Sequence, residues 1–406
     1  MTNKHYNIHH LSFKIKLEQK NLELSIGEGK VDREKILKIE RFIGNFYKDF
    51  SKVRFNKWNY EDGCILTAAI NMYLATDDDL YKNFVIGYMN EYIEEDGTIR
   101  YYKPEDFNLD NIAPGRAILF AYEHTGEERY RKAADRLIAQ LAEQPRIPEG
   151  NFWHKKIYPN QVWLDGLFMA QPFYMAYDTK YGKKDHYIDI CDQFELVQEK
   201  MFNAEKGLYY HGFDSSKSIF WANKETGLSA NFWLRSIAWF LMALVETMEE
   251  MDRRVYDNYQ PLMDIYKKGI KGVIQYLDDE FDMFYQIVDG GKNIAGNYLE
   301  TSGSSMIAAS ILKACRYKIV LPEKYQPTGE KILEAVIDNK LVENNGVLEL
   351  RDNCSVAGLG PAEGRRDGSV AYYLSEPITT NDNKGIAATI LAYSQYVMLH
   401  KEERNN

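Results

Sequence analysis

The sequence has little sulfur and no cluster of it. Four cysteines, Cys64, Cys191, Cys315 and Cys354, are scattered over 406 residues with no Cys-x-x-Cys pair. That spacing excludes a disulfide framework and a zinc finger, and reduced structural thiols are expected. No apolar run reaches the roughly 18 residues that a membrane-spanning helix needs. Basic charge is in deficit, 50 Lys and Arg against 60 Asp and Glu, a net −10. A nucleic-acid binder needs a basic face to neutralise phosphates, so that class is set aside. Local cations can still grip a small anion against the global sign. GxGxxG, GxxxxGK[ST], GxSxG and HExxH are all absent, and no compact group of residues has metal-ligand spacing; none of the chemistries those motifs carry is indicated. The N-terminal MTNKHYNIHHLSFKIKLEQ has no apolar h-region, so it does not read as a secretory leader. The expectation is a soluble cytoplasmic protein, periplasmic or secreted if a leader has been removed, with its oligomeric state open.

What is present in quantity is aromatic and apolar. Tyr (30), Phe (19) and Trp (6) bring aromatics to 14% and apolar residues make up 45%, enough for a large core. Such a surplus fills cores, and it also lines the flat faces on which sugars stack.

Residues 1–31 are weakly patterned and read as a loosely structured arm; residues 32–406 read as a single all-α domain. KILKIERFIGNFYKDF repeats apolar residues at helical spacing, while 92–102 and 206–213 read as turns or short hairpins. Six times a polar or aromatic loop runs into an apolar, small-residue-rich helix. The loops are Trp58-Asn-Tyr-Glu-Asp-Gly, Asn108-Leu-Asp-Asn-Ile-Ala-Pro-Gly, Trp163-Leu-Asp-Gly, Asn231-Phe-Trp-Leu-Arg, Glu300-Thr-Ser-Gly-Ser-Ser and Asn381-Asp-Asn-Lys-Gly. A more charged helix lies between successive members, giving about 65 residues per pair. Six inner helices backed by amphipathic outer ones make an (α/α)6 six-hairpin toroid. Its inner helices would be parallel, gathering all six loops at one mouth with six positive helix ends. An open α-solenoid used for binding is the competing architecture.

The stretch from Asn151 to Asp178, NFWHKKIYPNQVWLDGLFMAQPFYMAYD, is the densest. After Trp163 it is apolar nearly all round and so must be buried, yet its first turn carries Asp165. Capping of the helix N-terminus would account for such an acid. A second acid, Asp110 in NLDNIAPG, sits at a matching helix start, and paired carboxylates across a cleft are usual for glycoside chemistry. A lone histidine such as His154 or His211 is more often structural than catalytic. Arg235 and Trp239 fall on one helical face, which would set guanidinium and indole side by side. An Arg in so apolar a run calls for an anion, and its planar fork suits a carboxylate.

The stretches WNYEDG, NLDNIAPGR, FWHKKIYPNQVWLDGLFMA, GLYYHGFD, WANKETGLSANFWLRSIAW, ETSGSSM and YLSEPITTNDNKG resemble, in order over residues 58–385, the unsaturated glucuronyl/rhamnogalacturonyl hydrolases. The nearest likeness is to glycoside hydrolase family 105, with family 88 as its cousin. The resemblance implies the six-hairpin barrel, Asp165 as general acid/base and Asp110 as a second essential carboxylate. It implies substrate contact by Tyr60, His154, Lys155, His211, Arg235 and Trp239, with Trp221 and Trp233 shaping the pocket. The implied partner is a small oligosaccharide ending in a 4,5-unsaturated uronate, most naturally unsaturated galacturonyl-rhamnose from pectin. Unsaturated glucuronides from glycosaminoglycans or ulvan are the alternative substrate, and a non-catalytic helical-repeat binder the alternative class. No metal or organic cofactor is implied. For Asp165 to donate a proton near neutral pH its pKa is expected to be raised by its apolar setting and by Asp110.

Overall fold

The computed structural model describes residues 31–49, 56–361 and 364–405. The expected N-terminal arm at 1–31 lies, apart from Val31, outside the described residues. Thirteen α-helices are described: α1 (Arg33–Tyr47), α2 (Tyr60–Thr76), α3 (Asp79–Tyr92), α4 (Gly115–Thr125), α5 (Glu128–Glu143), α6 (Leu164–Lys180), α7 (Tyr187–Met201), α8 (Leu234–Glu250), α9 (Tyr256–Val273), α10 (Thr301–Arg316), α11 (Pro322–Asn339), α12 (Val370–Ser375) and α13 (Asn383–Asn405).

Helices α2, α4, α6, α8, α10 and α13 each pack on the next, and α13 returns to pack on α2. That closure makes them the inner ring of an (α/α)6 toroid. They are buried nearly all round; α8 buries every residue from Leu234 to Met248, as an interior helix must. Helices α3, α5, α7, α9 and α11 back their preceding inner partners. These outer helices are striped rather than uniformly apolar: α5 buries Tyr130, Ala133, Ala134, Leu137 and Leu141 at three- and four-residue spacing. The sixth outer position falls to α1, which packs between α11 and α3. Tyr393 on α13 donates to Glu40 on α1 at 2.7 Å, so the first and last helices close the ring together.

The loops at the starts of the inner helices are laced into one rim. The Trp58 indole donates to the Asn111 carbonyl at 2.8 Å. Backbone bonds then run from Leu109 to His154, from Leu164 to His211, from Leu234 to Gln286 and from Thr301 to Asp352. The strands are short and serve this rim: β1 (Gln161–Trp163) pairs antiparallel with β4 (Gly212–Asp214), setting Trp163 opposite Gly212. The expected turns at 92–102 and 206–213 form as an Ile93–Ile99 bridge and as the paired strands β2 (Phe202–Asn203) and β3 (Leu208–Tyr209).

Candidate active site

The pairing of β1 with β4 decides where Asp165 looks. Because Trp163 lies opposite Gly212, the next turn of chain starts α6 beside His211. The His211 Nε2 stands 3.2 Å from Asp165 Oδ2. Its other nitrogen, Nδ1, is 2.7 Å from the Tyr373 hydroxyl. Burial pushes the Tyr373 phenol well up, so it keeps its proton beside Nδ1. With Nδ1 engaged by Tyr373, Nε2 is the ring nitrogen that faces Asp165. Capping does not occupy this acid: Trp163 holds the N-cap position and Asp165 lies inside the first turn.

Burial alone would raise the Asp165 pKa, but the pull of His211 at 3.2 Å and a smaller pull from His154 outweigh it, and the carboxyl is held below its ordinary value. This reverses the expected upward shift. An apolar helix start is legible in sequence; an imidazole brought in from 46 positions away by a strand pair is not.

Asp110 sits in the 3-10 turn Leu109–Asn111, which Asn108 caps, so its carboxylate is also free of capping. It pairs with Lys155 Nζ at 2.5 Å and stands 3.5 Å from His154 Nε2. Burial opposes the Lys155 charge, yet Asp110 raises its pKa. Burial drives His154 down to about 4, so this ring is neutral at pH 7. His154 feels Asp110 and, more weakly, Asp165. Its ring stacks on Trp163, centroids 4.5 Å apart and planes at 19°. Gly166 permits the approach: any Cβ there would lie 3.0 Å from His154 Nδ1.

Tyr60 opens α2 rather than lying in the loop before it. Burial and Glu61 keep its phenol protonated, and both Asp110 and Arg235 act on it. Arg235 is 2% exposed. Its Nη1 donates to the Ser302 hydroxyl at 3.2 Å and to the Cys354 carbonyl. The indole under its guanidinium is Trp233, 5.0 Å away, not Trp239 as helical spacing implied; Trp239 packs on Phe168 at 4.4 Å. The extended backbone before α8 folds the Trp233 ring back over the helix start, which residue spacing within the helix does not encode. The directly bonded partners of Arg235 are neutral, with Glu300 and Asp382 acting at longer range. Trp233 itself stacks with Tyr373 at 5.8 Å and donates to Gln286. Trp221 lies in an apolar cluster with Tyr158, Trp163 and Leu359, its indole donating to the Gly360 carbonyl.

Sequence reading assigned no role to Tyr373, although it opens the YLSEPITTNDNKG stretch, nor to Glu300. Glu300 caps α10 through Ser302 and Gly303 and also takes the Cys354 amide, so it fixes the strand that holds Arg235. The charge-bearing Glu300-Thr-Ser-Gly start was its only signal.

The family model for Glycosyl Hydrolase Family 88 matches residues 38–400. The chain belongs to that family. A family 105 glycoside hydrolase from C. acetobutylicum superposes with a TM-score of 0.82 at 37% identity, over 88% of this chain and 98% of that one. The unsaturated rhamnogalacturonyl hydrolase YesR of Bacillus subtilis is 24% identical over 82% of this chain and 89% of its own length. An unsaturated glucuronyl hydrolase from Bacillus sp. GL1 shares the fold, with a TM-score of 0.64 at 14% identity over 91% of this chain and 96% of that one. The protein is therefore a glycoside hydrolase of the unsaturated uronyl hydrolase group, and a non-catalytic helical-repeat role is set aside. Among the described residues no helix is long and apolar enough to cross a membrane.

Proposed function

We propose that the protein removes the terminal 4,5-unsaturated uronic acid from lyase-generated oligosaccharides, acting on unsaturated galacturonyl-rhamnose. The observation that carries the mechanism is the matched pair of acids at one rim, Asp165 facing His211 and Asp110 facing Lys155 and His154. In this reading Asp165 gives its proton to C4 of the enol ether, and positive charge develops at C5 and the ring oxygen. The Asp165 carboxylate then takes a proton from the water that adds at C5, restoring the acid. The resulting hemiketal opens and releases the neighbouring sugar.

The lowered Asp165 pKa does not obstruct this role. A substrate uronate entering beside it is a like charge, which raises a carboxyl pKa. Binding thus brings the proton that the reaction uses. Asp110, held by Lys155 and His154, orients the ring hydroxyls, and Tyr60 with Arg235 receives the uronate carboxylate. Likeness to a named rhamnogalacturonyl hydrolase over most of both chains supports rhamnose as the neighbouring sugar. The test is ultraviolet absorbance, since hydration destroys the conjugated chromophore. Unsaturated galacturonyl-rhamnose should be consumed faster than unsaturated glucuronyl disaccharides from glycosaminoglycans. The opposite order would reassign the substrate.

A further inference from the structure

Against His154 the toroid wall holds a small cavity. It is lined by Asn151, His154, Gly166, Gln171, Gln193 and apolar neighbours, and about 10 Å³ of it is open to the centre of a water molecule. Three polar atoms of these residues are buried without a protein partner: His154 Nδ1, Gln171 Oε1 and Gln193 Nε2. All three side chains belong to residues no more than 3% exposed. A buried polar atom left unpaired is costly, and a cavity of this size with two to four polar partners is what an internal water needs.

The polarities match one water and no other arrangement as simply. Gln171 Oε1 only accepts and the Gln193 amide nitrogen only donates. Gln193 is fixed in that orientation because its Oε1 accepts the Phe152 amide at 3.3 Å. His154 is neutral at pH 7, so one ring nitrogen accepts and the other donates. Its Nε2 faces a carboxylate oxygen of Asp110 at 3.5 Å, which calls for a proton on Nε2 and leaves Nδ1 an acceptor. A water can give one hydrogen to Nδ1 and one to Gln171 while accepting from Gln193. Gly166 keeps the approach open, since a Cβ there would stand 3.0 Å from Nδ1, where a hydrogen-bond partner belongs.

We propose that a single buried water, held by Gln171 and Gln193, locks His154 in the tautomer whose Nε2 proton faces Asp110. Gln171 and Gln193, on α6 and α7, are then positioning residues for the second carboxylate. The inference rests on the reading of Asp110 given above only for its effect on rate; the tautomer itself is independent of it.

The test is long-range proton–nitrogen correlation on the full chain labelled with 15N-histidine at pH 7, with the His154 signals assigned by their loss in His154→Gln. The expected result is an unprotonated Nδ1 and a protonated Nε2 in the wild type. In Gln171→Met, which keeps length but removes the acceptor, the two nitrogens should move toward averaged shifts. On an unsaturated uronyl disaccharide the same variant should lose kcat, with KM little changed. A protonated Nδ1 in the wild type overturns the proposal, as does a folded Gln171→Met with an unaltered His154 spectrum. A crystal structure of the wild type provides a check free of any variant: an ordered water bonded to Gln171, Gln193 and His154 supports it, and a dry cavity overturns it. If the enzyme turns over no unsaturated disaccharide but the tautomer and the water are found, the substrate reading fails and this one stands.

Discussion

His211 Nε2 lies 3.2 Å from Asp165 Oδ2 while Tyr373 holds the opposite face of the ring at 2.7 Å. The imidazole is thereby turned so that Nε2 points at the acid, and its pull is the main force lowering the Asp165 pKa. Activity that depends on a protonated Asp165 must fall as pH rises through that pKa. Removing the pull moves the fall to higher pH. His211→Asn should therefore shift the alkaline limb of the kcat/KM profile upward, even as the maximum drops. A limb that stays in place, or moves to lower pH, assigns it to another group.

Asp165→Asn should leave the fold and substrate binding largely intact and lower kcat by about 10²–10⁴-fold, the usual worth of a positioned proton donor. Asn fits the space and can still meet His211. Melting temperature and substrate affinity are measured alongside the rate. A well-folded variant with more than a few per cent of wild-type activity would remove Asp165 from the proton-transfer role.

Arg235→Lys should not behave as a conservative change. Lys keeps the charge but loses the planar fork that bonds Ser302 and the Cys354 carbonyl and lies over Trp233. A buried carbonyl would be left unpaired, a cost of about 1–3 kcal/mol. The variant should melt earlier and bind the unsaturated disaccharide more weakly. Unchanged affinity in a stable protein would confine Arg235 to the scaffold.

A pH effect on stability is expected from Glu250, at the C-terminal end of α8. Desolvation and Glu249 raise it to about 7, against the attraction of Lys180, Arg116 and Lys313. In the folded state the carboxyl holds its proton to higher pH than in the unfolded chain, so folding is favoured below this window and progressively less so from pH 4.5 to 7. Glu250→Gln should raise the melting temperature at pH 8 and leave it unchanged near pH 4. An equal gain at both pH values would show that the ionisation of Glu250 is not the cause.

The ring of six hairpins was legible because each inner helix is apolar all round and each outer one is striped, a contrast that survives in the letters. Asp110 and Asp165 stood out as charged groups against apolar text and His154 and Lys155 through the resemblance; the fold sets Asp110 beside His154 and Lys155. The sixth outer helix was seen as a helix but not as the partner of α13, since its pairing spans nearly the whole chain. Tyr373 and Glu300 act on His211 and Arg235 across more than 60 positions, and the downward shift of Asp165 follows from a contact across 46. Contacts of that range depend on how the rim loops pair, which no local periodicity encodes.

The hydration mechanism requires π electrons between C4 and C5 to take the proton from Asp165; a saturated ring offers it nothing. The direct measurement pairs an unsaturated galacturonyl-rhamnose with its saturated counterpart, same linkage and same concentration, and follows rhamnose release by chromatography. The account predicts release from the unsaturated compound in step with loss of its ultraviolet absorbance, and none from the saturated one. Release from the saturated disaccharide at a comparable rate would contradict it and leave a conventional glycosidase acting at the anomeric carbon.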